Sequence, residues 1–104
     1  WVGDCVAVVE WLLETPEASG LFNVGSGKAR SFADLARAVY AAMNLKPEIE
    51  FVDMPEHLRE KYQYFTEAKI GRLRAAGFTR PTTELEDGIA SYVRDYLLNA
   101  DPYV

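Results

Sequence analysis

The stretch that decides the fold is Gly20-Leu21-Phe22-Asn23-Val24-Gly25-Ser26-Gly27, which continues through residues 28–30 into Ser31-Phe32-Ala33-Asp34-Leu35. Residues 21–24 predict a short buried strand, because branched and aromatic side chains favour a pleated backbone. Gly25 and Gly27 predict a turn, since glycine adopts angles that other residues avoid. Ser31 then predicts the N-cap of a helix over about residues 32–44, with Asp34 in its first turn.

The segments around this stretch extend the alternation of helix and strand. An apolar helix precedes it, with Asp4 as a candidate cap, and Thr15-Pro16 ends that helix because proline cannot continue the hydrogen-bond ladder. After Pro47, residues 49–52 predict a second short strand. Isolated strands are stable only within a sheet, so we expect further strands outside these 104 residues and an α/β fold that is mostly helical with short strands.

The remaining part of the chain, almost half of it, reads as a loop and two helices. Residues 56–65 are polar and aromatic without a clear period, which is typical of a loop. Thr66 is a candidate cap for a helix that ends at Gly77. Residues 83–86 spell a capping box that opens the last helix, and residues 99–104 read as a tail. The expected buried side of the last helix is Leu85, Ile89, Tyr92, Val93, Tyr96 and Leu97.

Composition excludes several classes of protein. The chain has 104 residues, a formal net charge of −5 and 26% charged residues, which suits one small globular domain. No basic run interleaved with aromatic residues is present, so we expect no nucleic-acid partner. No uncharged apolar run reaches the roughly 20 residues of a membrane span, so we expect no membrane partner. Cys5 is the single cysteine, and we expect it in the core.

The glycine turn invites a comparison with phosphate-binding loops. A P-loop requires a glycine where Phe22 stands and a hydroxyl residue where Ala29 stands, and a dinucleotide fingerprint requires a third glycine where Arg30 stands. All three requirements fail, so a structural turn is the favoured interpretation. His57 has no accompanying ligands at metal-site spacing, so we predict a surface histidine and no metal site.

The loop around residue 60 is the strongest candidate for a binding site. Cations, phenols and an amide are concentrated there, and such groups suit an anionic, polar ligand such as a sugar phosphate. The alternative is a rim of solvated charges over a buried Tyr64 and Phe65, and composition alone does not decide between the two. The residues concerned are Arg59, Lys61, Tyr62, Gln63 and Tyr64.

Three stretches resemble the extended short-chain dehydrogenases/reductases that act on nucleotide sugars. They are Val2-Gly3-Asp4-Cys5-Val6, the turn sequence Phe22-Asn23-Val24-Gly25-Ser26-Gly27, and residues 73–88. Within that superfamily, residues 51–68 most resemble the ADP-L-glycero-D-manno-heptose 6-epimerase family. The resemblance implies substrate contact by Tyr62, with Lys61 and Gln63 as weaker candidates.

The resemblance covers the last third of the family's protein, so it implies a C-terminal fragment of an NAD(P)-binding, Rossmann-like fold. Residues 1–46 would supply the last helix–strand–helix of the nucleotide-binding domain, and residues 47–104 a substrate-binding lobe. The family's cofactor loop and its catalytic tyrosine–lysine pair have no match here. The resemblance therefore implies NADP bound mainly outside this chain, no catalytic or cofactor-binding residue within it, and no activity of the fragment alone.

For the whole enzyme, the resemblance implies epimerisation at C6 of ADP-D-glycero-D-manno-heptose by transient oxidation with NADP and hydride return. It also implies a cytoplasmic homo-oligomer, a pentamer, that makes a precursor of the lipopolysaccharide inner core. Two alternatives stay open. One is another nucleotide-sugar epimerase or dehydratase of the same superfamily, and the other is a binding or assembly module without catalysis.

Overall fold

The structure is a computed structural model that describes residues 1–101, and these residues are mostly helical as predicted. The first long helix, α1, runs over Val2–Glu14, and the second, α2, over Phe32–Ala42. Two short helices follow, α3 over Glu56–Arg59 and α4 over Gly71–Ala75. The last helix, α5, spans Leu85–Tyr92 and continues as a π-helical turn over Val93–Leu97.

The two predicted strands are wrong for this chain. Within residues 1–101 no segment forms a strand, and the Rossmann-like sheet that the resemblance implies is not visible. The physical reason is that a strand requires a neighbouring strand to bond with its backbone. Leu21 and Phe51 instead stay largely exposed, with 79% and 78% of their surface accessible to solvent.

A small core forms where α1 meets α4. Val8, Leu73 and Phe78 are each 3% exposed, and Trp11 packs its ring edge-on against Phe78 with 5.6 Å between the centroids. Phe22 packs on the same cluster, so the predicted strand segment contributes to the core without a sheet. Elsewhere α2 packs against α5 and its π-helical continuation, where Ala38, Gly88 and Val93 are buried.

The end of α4 follows the sequence prediction. Gly77 has a φ of 112°, which glycine adopts without the strain that a side chain brings. The Gly77 amide donates to the Arg74 carbonyl at 3.1 Å, and the Phe78 amide donates to the Leu73 carbonyl at 3.3 Å. These two bonds define a Schellman motif, and the buried pair Leu73 and Phe78 is its usual hydrophobic contact.

The predicted N-cap of α2 is also confirmed. The Ser31 hydroxyl accepts from the Asp34 amide, and the Asp34 carboxylate accepts from the Ser31 amide, both at 3.1 Å. Each group satisfies an amide that the helix itself leaves without a partner, which makes a complete capping box. The local sequence therefore determines where this helix begins.

Two other predicted helix starts are wrong, and one predicted loop contains a helix. The N-cap of α1 is Trp1, and Asp4 lies inside the helix. The helix predicted from Thr66 begins only at Gly71, because residues 67–69 lie beside the glycine turn. There the Ala29 amide donates to Glu67 Oε2 at 3.3 Å. The predicted loop over residues 56–65 contains α3.

The capping box predicted at residues 83–86 does not form. Glu84 is the N-cap of α5 and has no side-chain cap bond. The Thr83 hydroxyl donates to Asp4 instead, and the Glu86 carboxylate accepts from Arg30. Distant partners thus replace the local ones that the spacing suggests.

Several residues that were predicted to be buried are exposed. Cys5 is exposed, since it lies on the side of α1 that faces away from the core. On the last helix Val93 is buried as predicted, but Tyr92, Tyr96 and Leu97 are exposed. The predicted tail includes residues 102–104, which lie outside the described residues.

Candidate functional site

The candidate site is the loop over residues 54–66, which α3 shapes. Pro55 precedes the helix, and the Leu58 amide donates to its carbonyl at 3.0 Å. Arg59 Nε donates to the Met54 carbonyl, also at 3.0 Å, and so ties the end of α3 back to its beginning. The guanidinium that the sequence offered as a ligand group therefore helps to hold the loop.

The three predicted substrate-binding residues follow α3 directly. The Lys61 amide donates to the Leu58 carbonyl at 3.1 Å, which continues the helical turn and positions residue 62. The Tyr62 ring lies edge-on to the Tyr64 ring, with 5.3 Å between centroids. Gln63 Oε1 accepts from the Thr66 hydroxyl at 3.3 Å, which leaves the amide nitrogen of Gln63 available for another acceptor.

This loop presents its polar groups to solvent. Tyr62 is 38% exposed, and Lys61 and Gln63 are also exposed. Among residues 1–101 the Lys61 ammonium forms no ion pair, so its charge is available to an anion. Tyr64 and Phe65 are exposed, so the alternative in which they are buried under a charged rim is wrong.

The glycine turn packs closely against a later segment of the same chain. A Cβ atom at Gly25 would lie 2.6 Å from the Ala68 Cβ, and one at Gly27 would lie 2.9 Å from Ile70 Cδ1. The glycines therefore provide room for residues 68–70 of the same chain, which supports the interpretation as a structural turn. Gly27 also has a φ of 70°, which makes glycine the least strained residue there.

Two hydrogen bonds that the local sequence does not predict join α1 to the segment just before α5. The Asp4 carboxylate accepts from the Thr83 amide at 2.9 Å and from the Thr83 hydroxyl at 2.7 Å. Asp4 belongs to the Val2-Gly3-Asp4 segment, which resembles the nucleotide-sugar dehydrogenases/reductases. Nothing in the local sequence identifies its partner 79 residues away. The bond fixes the start of α1 against the entry to α5.

Two open cavities adjoin Asp4, with volumes of about 350 and 500 Å³. Asp4, Val24 and Gly25 line both of them. Lys61, Tyr62 and Gln63 line neither cavity. The described residues thus place the predicted substrate-binding residues on an exposed loop, outside these two cavities.

Ion pairs connect the segment before α2 to the start of α5. Lys28 donates to Glu84, and Arg30 donates to Glu86. The bond from Arg30 lowers the pKa of the Glu86 carboxyl, and Glu86 in turn raises the pKa of the guanidinium. The capping bonds from Ser31 lower the pKa of Asp34 in the same way, because they favour the charged carboxylate. These cations are thus occupied by structural partners.

Residues 1–101 offer neither a metal-binding cluster nor a helix suited to span a membrane. They contain no group of three or more histidine, cysteine, aspartate or glutamate side chains that could hold a metal ion. None of their helices combines the length and the apolar character that crossing a membrane requires.

Comparison with known proteins gives a consistent set of relatives. A protein of Nitratidesulfovibrio vulgaris strain Hildenborough named ADP-L-glycero-D-manno-heptose-6-epimerase is 57% identical over all 104 residues. Proteins of the same name from Fusobacterium nucleatum and Alkalilimnicola ehrlichii are 40% and 42% identical, over 100% and 88% of this chain. No family model matches the chain.

The chain is much shorter than these relatives. It spans 32% of the length of the Nitratidesulfovibrio vulgaris protein, 33% of the Fusobacterium nucleatum protein and 28% of the Alkalilimnicola ehrlichii protein. Over its whole length this chain thus resembles about one third of an ADP-L-glycero-D-manno-heptose-6-epimerase, and the resemblance that its sequence predicted is confirmed.

Proposed function

We propose that this chain is the C-terminal, substrate-binding part of an enzyme that converts ADP-D-glycero-D-manno-heptose to ADP-L-glycero-D-manno-heptose. Residues 47–104 form the lobe that contacts the sugar nucleotide, and residues 1–46 complete the nucleotide-binding domain. The observation that carries the proposal is the 57% identity, over the full chain, to a protein of that name. The exposed loop after α3 supports it, because its free cation and phenol suit an anionic ligand.

Within this loop we assign the main substrate contact to Tyr62. Its phenol can donate one hydrogen bond and accept another, which fits a hydroxyl or phosphate oxygen of the sugar nucleotide. Lys61 and Gln63 flank it with an ammonium and an amide nitrogen. The turn after α3 fixes the backbone at residue 61, so the loop presents three different polar groups in succession.

The nicotinamide cofactor, NADP, is held by polypeptide outside this chain. The support for this is that Gly25 and Gly27 make room for residues 68–70 of the same chain and that the turn has no third glycine where Arg30 stands. The role of this chain is therefore to bind and orient the substrate. The whole enzyme works as a cytoplasmic homo-oligomer, a pentamer, and supplies a precursor of the lipopolysaccharide inner core.

A chimera tests this proposal. The chain replaces the matched third of the Nitratidesulfovibrio vulgaris relative, and the chimera is assayed for conversion of ADP-D-glycero-D-manno-heptose to the L-glycero epimer. We expect activity within about tenfold of the parent, because the two segments are 57% identical. Turnover of a UDP-, GDP- or dTDP-sugar in place of ADP-heptose would identify another nucleotide-sugar enzyme. A chimera that is folded by circular dichroism and converts none of these sugars contradicts the proposal and favours a binding or assembly module.

The assignment of Tyr62 is tested in the same chimera. Tyr62→Phe removes one hydroxyl and should raise KM for the ADP-heptose by about fivefold, since a hydrogen bond contributes about 1 kcal/mol. Tyr96→Phe is the matched control, because it makes the same change at a tyrosine that is also 38% exposed but lies on the π-helical turn, and it should leave KM unaltered. Equal KM values for the parent chimera and Tyr62→Phe would remove Tyr62 from the site.

A further inference from the structure

The loop that carries the predicted substrate contacts follows a helix that is too short to be stable by itself. Helix α3 has four residues, Glu56–Arg59, and its N-cap, Pro55, provides no side-chain cap bond. Isolated helices shorter than about 12 residues are marginal in water, because the first turn orders several residues for a single hydrogen bond. Other contacts are therefore needed to fix the direction in which the chain leaves α3.

Arg59 provides such a contact. Its Nε donates to the Met54 carbonyl at 3.0 Å, which ties the last residue of α3 to the segment before the helix. The Leu58 amide donates to the Pro55 carbonyl at 3.0 Å, and the Lys61 amide donates to the Leu58 carbonyl at 3.1 Å. These two backbone bonds each close a single turn, and the bond from Arg59 spans the first of them and joins both ends of the helix.

The hydrogen bond of Arg59 explains more of the loop than its charge does. Residues 56–61 contain two carboxylates and two cations, so their formal charges cancel with the histidine neutral. Among residues 1–101 Arg59 forms no ion pair. Lys61 directly precedes Tyr62 and is the nearer cation in sequence to the predicted contact. What distinguishes Arg59 from Lys61 is thus its bond to the backbone of the same loop.

We propose that Arg59 is a positioning residue that acts on the substrate through Tyr62. Its Nε bond holds α3 closed, and the closed helix sets the direction of the Tyr62 phenol, three residues later in the chain. The inference rests on the proposed function, in which Tyr62 is the main substrate contact. Without the bond the loop samples more conformations, and the substrate has to order them when it binds, so its affinity falls.

Three substitutions of Arg59 in the chimera separate the bond from the charge. Arg59→Gln places an N–H as many bonds from Cα as the arginine Nε and removes the charge. Arg59→Lys keeps the charge but has carbon at that position, and Arg59→Met removes both the donor and the charge. All four residue types have nearly the same helix propensity, so the intrinsic stability of α3 stays constant across the series.

The expected order of KM follows the donor. Arg59→Met should raise KM for the ADP-heptose about threefold with kcat unchanged, because an exposed hydrogen bond that supports binding is lost. Arg59→Lys should resemble Arg59→Met, and Arg59→Gln should stay within about 1.5-fold of the parent chimera. In the Tyr62→Phe background, Arg59→Met should raise KM by less than about 1.5-fold, since the hydroxyl that Arg59 positions is absent.

Arg94→Met is the matched control. Arg94 is also exposed, and its Nε also donates to a backbone carbonyl, that of Ala90 at 3.1 Å, but it lies on the π-helical turn. The substitution therefore removes the same kind of bond and the same charge away from the loop, and KM should stay that of the parent.

Several results would overturn the proposal. Parent-like KM for Arg59→Lys, with Arg59→Gln as weak as Arg59→Met, would show that the charge itself contacts the substrate. An unchanged KM for Arg59→Met, a fall in its kcat alone, or equal rises with and without the Tyr62 hydroxyl would exclude the positioning role.

Failure of the proposed function gives a different pattern. If the chimera turns over a UDP-, GDP- or dTDP-sugar, the series is measured with that sugar, and the same order of KM supports the positioning role while the ADP-heptose assignment fails. A folded chimera that converts none of these sugars overturns the proposed function and this inference with it, because no substrate is then left to position.

Discussion

Breaking the bond between Asp4 and Thr83 should be one of the most damaging single changes outside the core. Asp4→Ala removes a carboxylate that accepts two hydrogen bonds, from the Thr83 amide at 2.9 Å and from its hydroxyl at 2.7 Å. Both bonds are partly buried, so water replaces them incompletely. The variant also leaves the Thr83 amide without the acceptor that fixes the entry to α5.

The expected magnitude follows from the number and kind of bonds. A hydrogen bond to a charged acceptor contributes about 1.5–3 kcal/mol, and partial exposure favours the lower end. Asp4→Ala should therefore lower the free energy of unfolding by about 3 kcal/mol, and Thr83→Val, which keeps the amide bond, by about 1.5 kcal/mol. Because the hydroxyl bond is absent once Asp4 is gone, the double variant should be no less stable than Asp4→Ala. The coupling energy is then about 1.5 kcal/mol.

Urea unfolding of the four proteins, followed by circular dichroism at 222 nm, measures this cycle. Thr82→Val is the matched control, since it makes the same change one residue away from the bond and should alter stability by less than about 0.5 kcal/mol. A coupling energy below about 0.5 kcal/mol would show that the two residues act independently. That result would refute the reasoning, whatever the effect of each single variant.

Three further predictions concern helix ends and charge. Ser31→Ala should cost about 1 kcal/mol of stability in urea unfolding, because it removes the cap of α2, whereas Ser31→Thr should cost much less. Gly77→Ala should lower the free energy of unfolding by about 1–2 kcal/mol, because a residue with a side chain is strained at the φ of 112° found there. The added methyl group has space, so an unchanged stability would show that the backbone relaxes and would contradict this prediction. The hydrogen bond from Arg30 lowers the pKa of Glu86 in the folded chain. Glu86 therefore contributes fully to the free energy of unfolding above its pKa in the unfolded chain, and this contribution is lost as the pH falls through its pKa in the folded chain. Wild-type stability should therefore fall below about pH 4 more steeply than that of Glu86→Gln, and parallel pH profiles would contradict the ion pair with Arg30.

The sequence predicted those features that depend on residues close together in the chain. Ser31 and Asp34 lie three residues apart, and their capping box forms as the spacing indicates. Gly77 ends α4 because the backbone itself requires a positive φ at that point. In both cases the partners that stabilise the structure belong to one turn, so no knowledge of the rest of the fold is needed.

Strand predictions failed because a strand depends on its neighbours. The composition of residues 21–24 suits a sheet, but no strand partner exists among the described residues.

Competition from distant groups explains why the capping box predicted at Thr83 does not form. Its hydroxyl finds the Asp4 carboxylate at 2.7 Å, and no pattern within residues 83–86 reveals that this acceptor is close.

Only part of the candidate site could be read from residue types. The concentration of polar and aromatic groups indicated a ligand-facing loop, and the structure exposes Lys61, Tyr62 and Gln63 as that requires. The choice of Tyr62 as the main contact came from the family resemblance alone. Neither of the two cavities includes Tyr62, and its contact with substrate stays a prediction.

The bond between Asp4 and Thr83 has a consequence for the order of folding. Its partners are 79 residues apart, so closing that loop costs chain entropy that is recovered only when the contact forms. The Schellman turn of α4, by contrast, joins groups five residues apart and can form early. The union of α1 with α5 is therefore a late event, and weakening it should accelerate unfolding while leaving the folding rate almost unchanged.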